Sequence, residues 1–180
     1  MNRHATNLIA DYFREKEMKF SVHDVDGASY VDAGFSIPCG PAVMVHFISR
    51  DEDNDVAIRI FSLISSIPSA KEDIALRLCN ELSRRNRHVK FYLSEDNSIN
   101  MEYDLSEHTP DEAVGPICHD MFTRMATILF VEYAGMVRAL NGDGPEGGEP
   151  DLLSLLRNLM EAKSEAKSEA ESADASGLFS

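Results

Sequence analysis

No tryptophan occurs among the 180 residues, and cysteine is limited to Cys39, Cys79 and Cys118. The three are widely spaced and form no C-x-x-C pair, which excludes a zinc knuckle and a thioredoxin-type motif. Such isolated thiols suit a reducing compartment, and a cytoplasmic location is expected. Positive charge is scarce: 17 Lys and Arg face 31 Asp and Glu, a formal net charge of -14. So acidic a chain repels phosphate backbones and anionic lipid, so neither nucleic acid nor a membrane is the expected partner. No apolar run approaches the ~18–20 residues of a membrane span. Met1 to Asp11 does not follow the basic-then-apolar order of a secretory signal.

Catalytic signatures are absent as well. There is no G-x-S-x-G elbow, and the glycines of GPEGGEP stand among acids that would repel phosphate. Cys118 and His119 are helix neighbours whose side chains diverge by ~100°. The six histidines include no pair at helical ligand spacing. Asp51 to Asp55 (DEDND) resembles a calcium loop only superficially, because its sixth residue is Val56 and its twelfth Ser62. It is expected to be a solvated hairpin tip. No catalytic residue, cofactor or metal site is expected, and the protein is not expected to be an enzyme.

The composition breaks at Asn141. Residues 1–140 make the folded domain, with 14 Lys and Arg against 22 Asp and Glu. Residues 141–150 (NGDGPEGGEP) form an acidic flexible linker. Residues 151–162 form a short amphipathic helix, with Leu152, Leu155, Leu156 and Leu159 at i, i+3, i+4 and i+7. Residues 163–180, near-repetitive in KSEA, form a disordered tail.

Within the domain, Leu8, Ile9, Tyr12 and Phe13 mark a helix over residues 5–19, and Asp24 to Gly27 a turn. Strands follow over 28–37, 43–50 and 56–65. The last is apolar on both faces and is expected in the sheet centre, covered on both sides. Ser69 and Glu72 form a capping box for a helix with the stripe Ile74, Leu78 and Leu82 (with Ala75 and Cys79), ending in Arg84, Arg85, Arg87 and His88. Strands 89–94 and 99–105 alternate around Glu95 to Ser98, with Asn100, Glu102 and Asp104 on the solvated side. Thr109-Pro110-Asp111-Glu112 caps a long helix to about Leu140, with a bend at Gly115-Pro116. The order α-β-β-β-α-β-β-α defines an α+β domain with a five-stranded, antiparallel-rich sheet.

The helix LIADYF, the hairpin VMVHFISRDEDNDVAIRIFSLISSIP, the helix SAKEDIALRLCNELSRRN and the hairpin VKFYLSEDNSINMEYDL, followed by the long helix, carry a resemblance. Over about Asn7 to Leu140 the chain resembles the YbjN-like bacterial family, whose fold is similar to the class I type III secretion chaperones. The strand ending in Ile-Pro, followed by a helix with Leu78, Asn80, Leu82 and Asn86, is its most familiar cue. The resemblance implies a small cytoplasmic homodimer that binds protein or peptide clients and has no shared catalytic residues. It also points to the helix over 69–86 and the adjacent strands as the face that meets a second copy.

The expected function is a non-enzymatic, homodimeric protein-binding module, chaperone- or adaptor-like. Candidate partner contacts are Leu8, Tyr12 and Phe13, with Leu152, Leu155, Leu156 and Leu159 in the tail. Glu132 lies inside the apolar stripe of the last helix, where a carboxylate requires a partner or water. A sheet residue such as Arg59 or His46 is the expected partner. The alternative function is a small-molecule or signal-sensing regulator, for which Glu132, His46 and Arg59 are the only candidate pocket members.

Overall fold

The Asp26-Gly27 dipeptide closes a two-residue hairpin in which both residues take positive φ, 50° and 79°. Two-residue hairpins of this hand require that conformation, and glycine adopts it without a Cβ clash. The flanking strands are β1 (Ser21–Val25) and β2 (Ala28–Ser36), paired from Val25 opposite Ala28 to Ser21 opposite Asp32. β1 is the strand missing from the five-stranded expectation. All five of its residues are exposed, so the segment shows no inward-facing apolar set, and it is held by backbone pairing with β2 together with polar and ring contacts such as His23 on Tyr30.

The computed structural model describes residues 3–50 and 54–142. The described residues belong to a first compact unit that ends at Gly142. The expectations for the linker beyond Gly142, for the helix with Leu152, Leu155, Leu156 and Leu159, and for the tail lie outside the described residues.

In the first unit the remaining elements are α1 (His4–Glu15), β3 (Ala42–Ser49), β4 (Val56–Ile64), α2 (Glu72–Arg85), β5 (Lys90–Leu93), β6 (Ile99–Leu105) and α3 (Asp111–Asn141). One antiparallel six-stranded sheet results, in the order β1-β2-β3-β4-β6-β5. The fold is α+β, with six strands where five were expected.

Alternate strand positions form the core. Val31 stands opposite Phe47, Phe47 opposite Ile58, and Ile60 opposite Met101, itself opposite Phe91. All of these are buried together with Ile9 and Phe13 of α1, Ala75, Cys79 and Leu82 of α2, and Met121, Met125, Leu129 and Met136 of α3. Of the expected α2 stripe, Ala75, Cys79 and Leu82 are buried and Leu78 packs against the core, while Ile74 is exposed. Burial of the two inner thiols pushes their pKa up, to about 11 for Cys79 and further for Cys118.

Both expected capping boxes are absent. A 3-10 turn at Ser69–Lys71 precedes α2, and neither α2 nor α3 has a side-chain cap. Instead, Asn54 ties the start of α3 to the β3–β4 loop. Its amide donates to the Thr109 carbonyl at 2.7 Å and to Asp111 Oδ1 at 2.8 Å, while His4 Nε2 lies 2.9 Å from Asp111 Oδ2. Asn54 is therefore buried rather than part of a solvated tip. These hydrogen bonds, Asn54 first, hold the Asp111 carboxyl below the usual range. The helix α3 runs unbroken through Pro116.

Candidate binding surface

β4 is not covered on both sides as expected. Val56, Ile58 and Ile60 are buried, but Ala57 and Arg59 are half-buried and Phe61 is 48% exposed. The apolar second face arises from a bulge. Pairing with β6 jumps from Ile60–Met101 to Ile64–Ile99, and Ser62 takes a positive φ of 51°. Ser62 N–H donates to Asn100 Oδ1 at 2.6 Å, which buries the Asn100 side chain that was expected in solvent. The extra residues shift the alternation, so Leu63 returns to the core while Phe61 points outward. Among the described residues, the helices cover one face of the sheet and leave the other open.

A row of polar side chains crosses that open face in register. Asp32 stands opposite His46, His46 opposite Arg59, Arg59 opposite Glu102, and Glu102 opposite Lys90. His46 Nδ1 lies 2.8 Å from Asp32 Oδ1, and His23 Nδ1 lies 3.7 Å from Asp32 Oδ2. Arg59, 17% exposed, donates to the Tyr103 carbonyl at 2.9 Å and to Asp104 Oδ1 at 2.6 Å, with Glu102 at 3.7 Å. Asp32 is paired with His46, and Arg59 with Glu102 and Asp104, so the row is largely satisfied within the sheet.

Aromatic groups lie over and beside the row. The rings of His23 and Tyr30 stack at 5.1 Å, His46 meets Tyr30 edge-on at 6.4 Å, and Phe61 tilts against His46 at 5.4 Å. Met44, on the same face, is 46% exposed. The surface thus combines a neutralised polar row with a partly exposed aromatic and thioether patch, suited to contact with another protein.

The residues singled out from sequence are dispersed. Phe13 is fully buried between Phe47 and Phe20, so it offers no surface. Leu8 and Tyr12 are half-buried, with Tyr12 edge-on to His119 of α3. Glu132 does not pair with Arg59 or His46, which sit on the opposite face of the sheet. Its partner is Arg85 at the end of α2, at 3.5 Å. The three residues therefore form no shared pocket. Among the described residues no group of three or more His, Cys, Asp or Glu is placed to hold a metal ion, and no helix is long and apolar enough to cross a membrane.

These features define an α+β domain whose single antiparallel sheet is backed by three helices and open on its other side. Residues 9–114 match the YbjN family, described as "Putative bacterial sensory transduction regulator". The match spans more than half of the chain, and the chain belongs to that family. A solved structure of YbjN from E. coli, described as "a putative transcription regulator", is similar at 12% identity and a TM-score of 0.44, covering 72% of this chain and 91% of that one. No curated protein matches the chain in sequence.

Proposed function

We propose that the domain is a non-catalytic, homodimeric protein-binding module with a regulatory role in the cytoplasm, and that it holds its client on the open face of the sheet. The observation carrying this reading is the exposed Phe61–Met44 patch beside the His23–Asp32–His46 cluster. Isolated exposed apolar residues are ordinary, but a contiguous group on an uncovered sheet face is a common contact surface. The small-molecule alternative has less support. Its three candidate residues are separated by the sheet, and the hollow beside Gly34, Phe35, Val43 and Met44, about 260 Å³, is smaller than the ~300–1,000 Å³ of typical ligand pockets.

The test is photocrosslinking from position 61 in the native cell, followed by calorimetry with the purified captured protein. Phe61→Asp should weaken that binding at least tenfold without lowering the melting temperature, because the side chain contributes little to the core. Unchanged affinity in this variant would refute the surface.

A further inference from the structure

Charge is not spread evenly over the folded domain. Residues 77–90 (RLCNELSRRNRHVK) hold five of its 14 Lys and Arg and one of its 22 Asp and Glu, while the rest of the domain carries nine against 21. Complementing the negative pole of α2 accounts for Arg84 and Arg85 in its last turn. It does not account for Arg87, His88 and Lys90, which lie beyond the helix.

Pairing within the domain takes up little of this charge. Arg85 lies 3.7 Å from Glu81 and 3.5 Å from Glu132. Glu81 is also the one acid a turn behind Arg84, and Arg85 occupies it. Arg84, Arg87 and Lys90 have no carboxylate partner among the described residues, and all three are exposed, as is His88. Nor are these side chains carried on a loose loop. Ser83 Oγ accepts from the Phe91 N–H at 2.8 Å and donates to its carbonyl at 3.2 Å. The backbone N–H and the side-chain amide of Asn86 both donate to the Leu82 carbonyl at 2.9 Å, and Val89 is fully buried. The turn from α2 to β5 is thereby pinned, and the cations project from a fixed backbone. Leu76, 43% exposed, shares a ridge with Asn80 and Arg84 at i, i+4 and i+8. It stands ~12 Å from Arg84 along the helix.

We infer that the α2–β5 corner is a docking site for an acidic, partly apolar peptide segment of another protein. Its carboxylates meet Arg84 and Arg87, and an apolar side chain rests on Leu76. Charge complementarity names the partner, because guanidinium groups match carboxylates through paired hydrogen bonds. At physiological salt the screening length is ~8 Å, so a docked segment feels this corner rather than the net negative charge of the domain. Nucleic acid fits less well. Single strands stack their bases on aromatic side chains, whereas the one Phe, Tyr or Trp between residues 72 and 91 is the buried Phe91. The exposed neighbour of the arginines is aliphatic instead. In an extended segment ~12 Å is three to four residues, so the expected motif has Asp or Glu at that spacing from an apolar residue. The site goes beyond the proposed function, shares no residue with the open face, and holds whether or not Phe61 binds a client.

A random dodecamer phage-display library, selected on the immobilised full chain, tests this, followed by calorimetric titration of the enriched peptides. The wild-type chain should enrich peptides with that motif. The Arg84→Glu/Arg87→Glu double variant should bind them at least tenfold more weakly, and Leu76→Ala should weaken them several-fold. Arg84→Gln/Arg87→Gln, the milder change, should weaken them in the same direction with wild-type circular dichroism. Arg124→Glu on α3 and Phe61→Asp should leave their affinity unchanged. Enriched peptides that are not acidic, or that bind the double Glu variant as tightly as wild type, overturn the inference. So does an oligothymidylate that displaces them at lower concentration than free peptide does, since the corner would then be a phosphate site. A dimer in sedimentation velocity that the double Glu variant dissociates also overturns it, because a second copy would then cover the corner. If every enriched peptide is instead lost on Phe61→Asp, the inference fails while the open face stands.

Discussion

Two glycines in α3 should respond to alanine with opposite signs. A Cβ at Gly115 would lie 2.5 Å from Tyr12 Cβ, 2.8 Å from Tyr12 Cγ and 3.2 Å from the Leu8 carbonyl oxygen. None of these is the free end of a flexible side chain, so α1 itself must move away from α3. A Cβ at Gly135 would meet nothing within 4 Å. Gly135 is interior to the helix, so its alanine gains ~1 kcal/mol of propensity, whereas at Gly115 the ring of the following Pro116 crowds a new Cβ and offsets that gain. Overpacking at a tight contact costs ~1–3 kcal/mol, and displacing a helix that buries Ile9 and Phe13 belongs at the upper end. Gly115→Ala should therefore destabilise by ~1–2 kcal/mol, and Gly135→Ala should stabilise by ~1 kcal/mol. Urea denaturation at constant m-value measures both, and melting points should separate by several degrees. A Gly115→Ala protein as stable as wild type would refute the described seat of α1 on α3.

The thiols give a second test. Cys79 and Cys118 are buried with raised pKa while Cys39 is exposed in a turn, so Ellman's reagent should titrate one thiol in the native chain and three in denaturant. Asn54→Ala should cost ~1–3 kcal/mol by stripping a buried donor from Thr109 and Asp111. It should also flatten the acid limb of the stability profile. The folded-state pKa of Asp111 is depressed, so its contribution is present above the unfolded value of ~4 and lost as pH falls through the folded value. Denaturant melts of both proteins from pH 7 to pH 2.5 check this, and parallel profiles would contradict it. Ser83 Oγ accepts from the Phe91 N–H at 2.8 Å and donates to its carbonyl at 3.2 Å along the outer edge of β5, so Ser83→Ala should cost ~1–2 kcal/mol; its signature is faster amide exchange at Phe91, and an unchanged rate would contradict this contact.

Elements with strong periodicity were legible from sequence. Ile99, Met101, Tyr103 and Leu105 alternate, and β6 spans the expected residues. The carboxylate inside the α3 stripe was legible too, since spacing alone puts Glu132 there. Its partner was not, because that depends on which helix packs beside α3, and Arg85 lies at the end of α2. β1 escaped because an edge strand needs no apolar alternation, although Asp26-Gly27 is a hairpin signal in its own right. The open face escaped for a subtler reason. Phe61 and Leu63 look like parts of a two-sided apolar strand until the bulge at Ser62 places them on opposite sides of the sheet.

The charges on that open face constrain what could bind there. Arg59 already holds the Tyr103 carbonyl, Asp104 and Glu102, and its guanidinium lies mostly out of solvent. Recruiting it for a partner would require breaking charge-assisted bonds, each worth ~1.5–3 kcal/mol, for new bonds of similar strength. The same holds for Asp32, 11% exposed between two imidazoles. Affinity on this surface must therefore come from Phe61, Met44 and the edge of Tyr30, with the polar row fixing their positions. Charge enters at longer range, where the acidic domain favours an approaching segment that is neutral or basic.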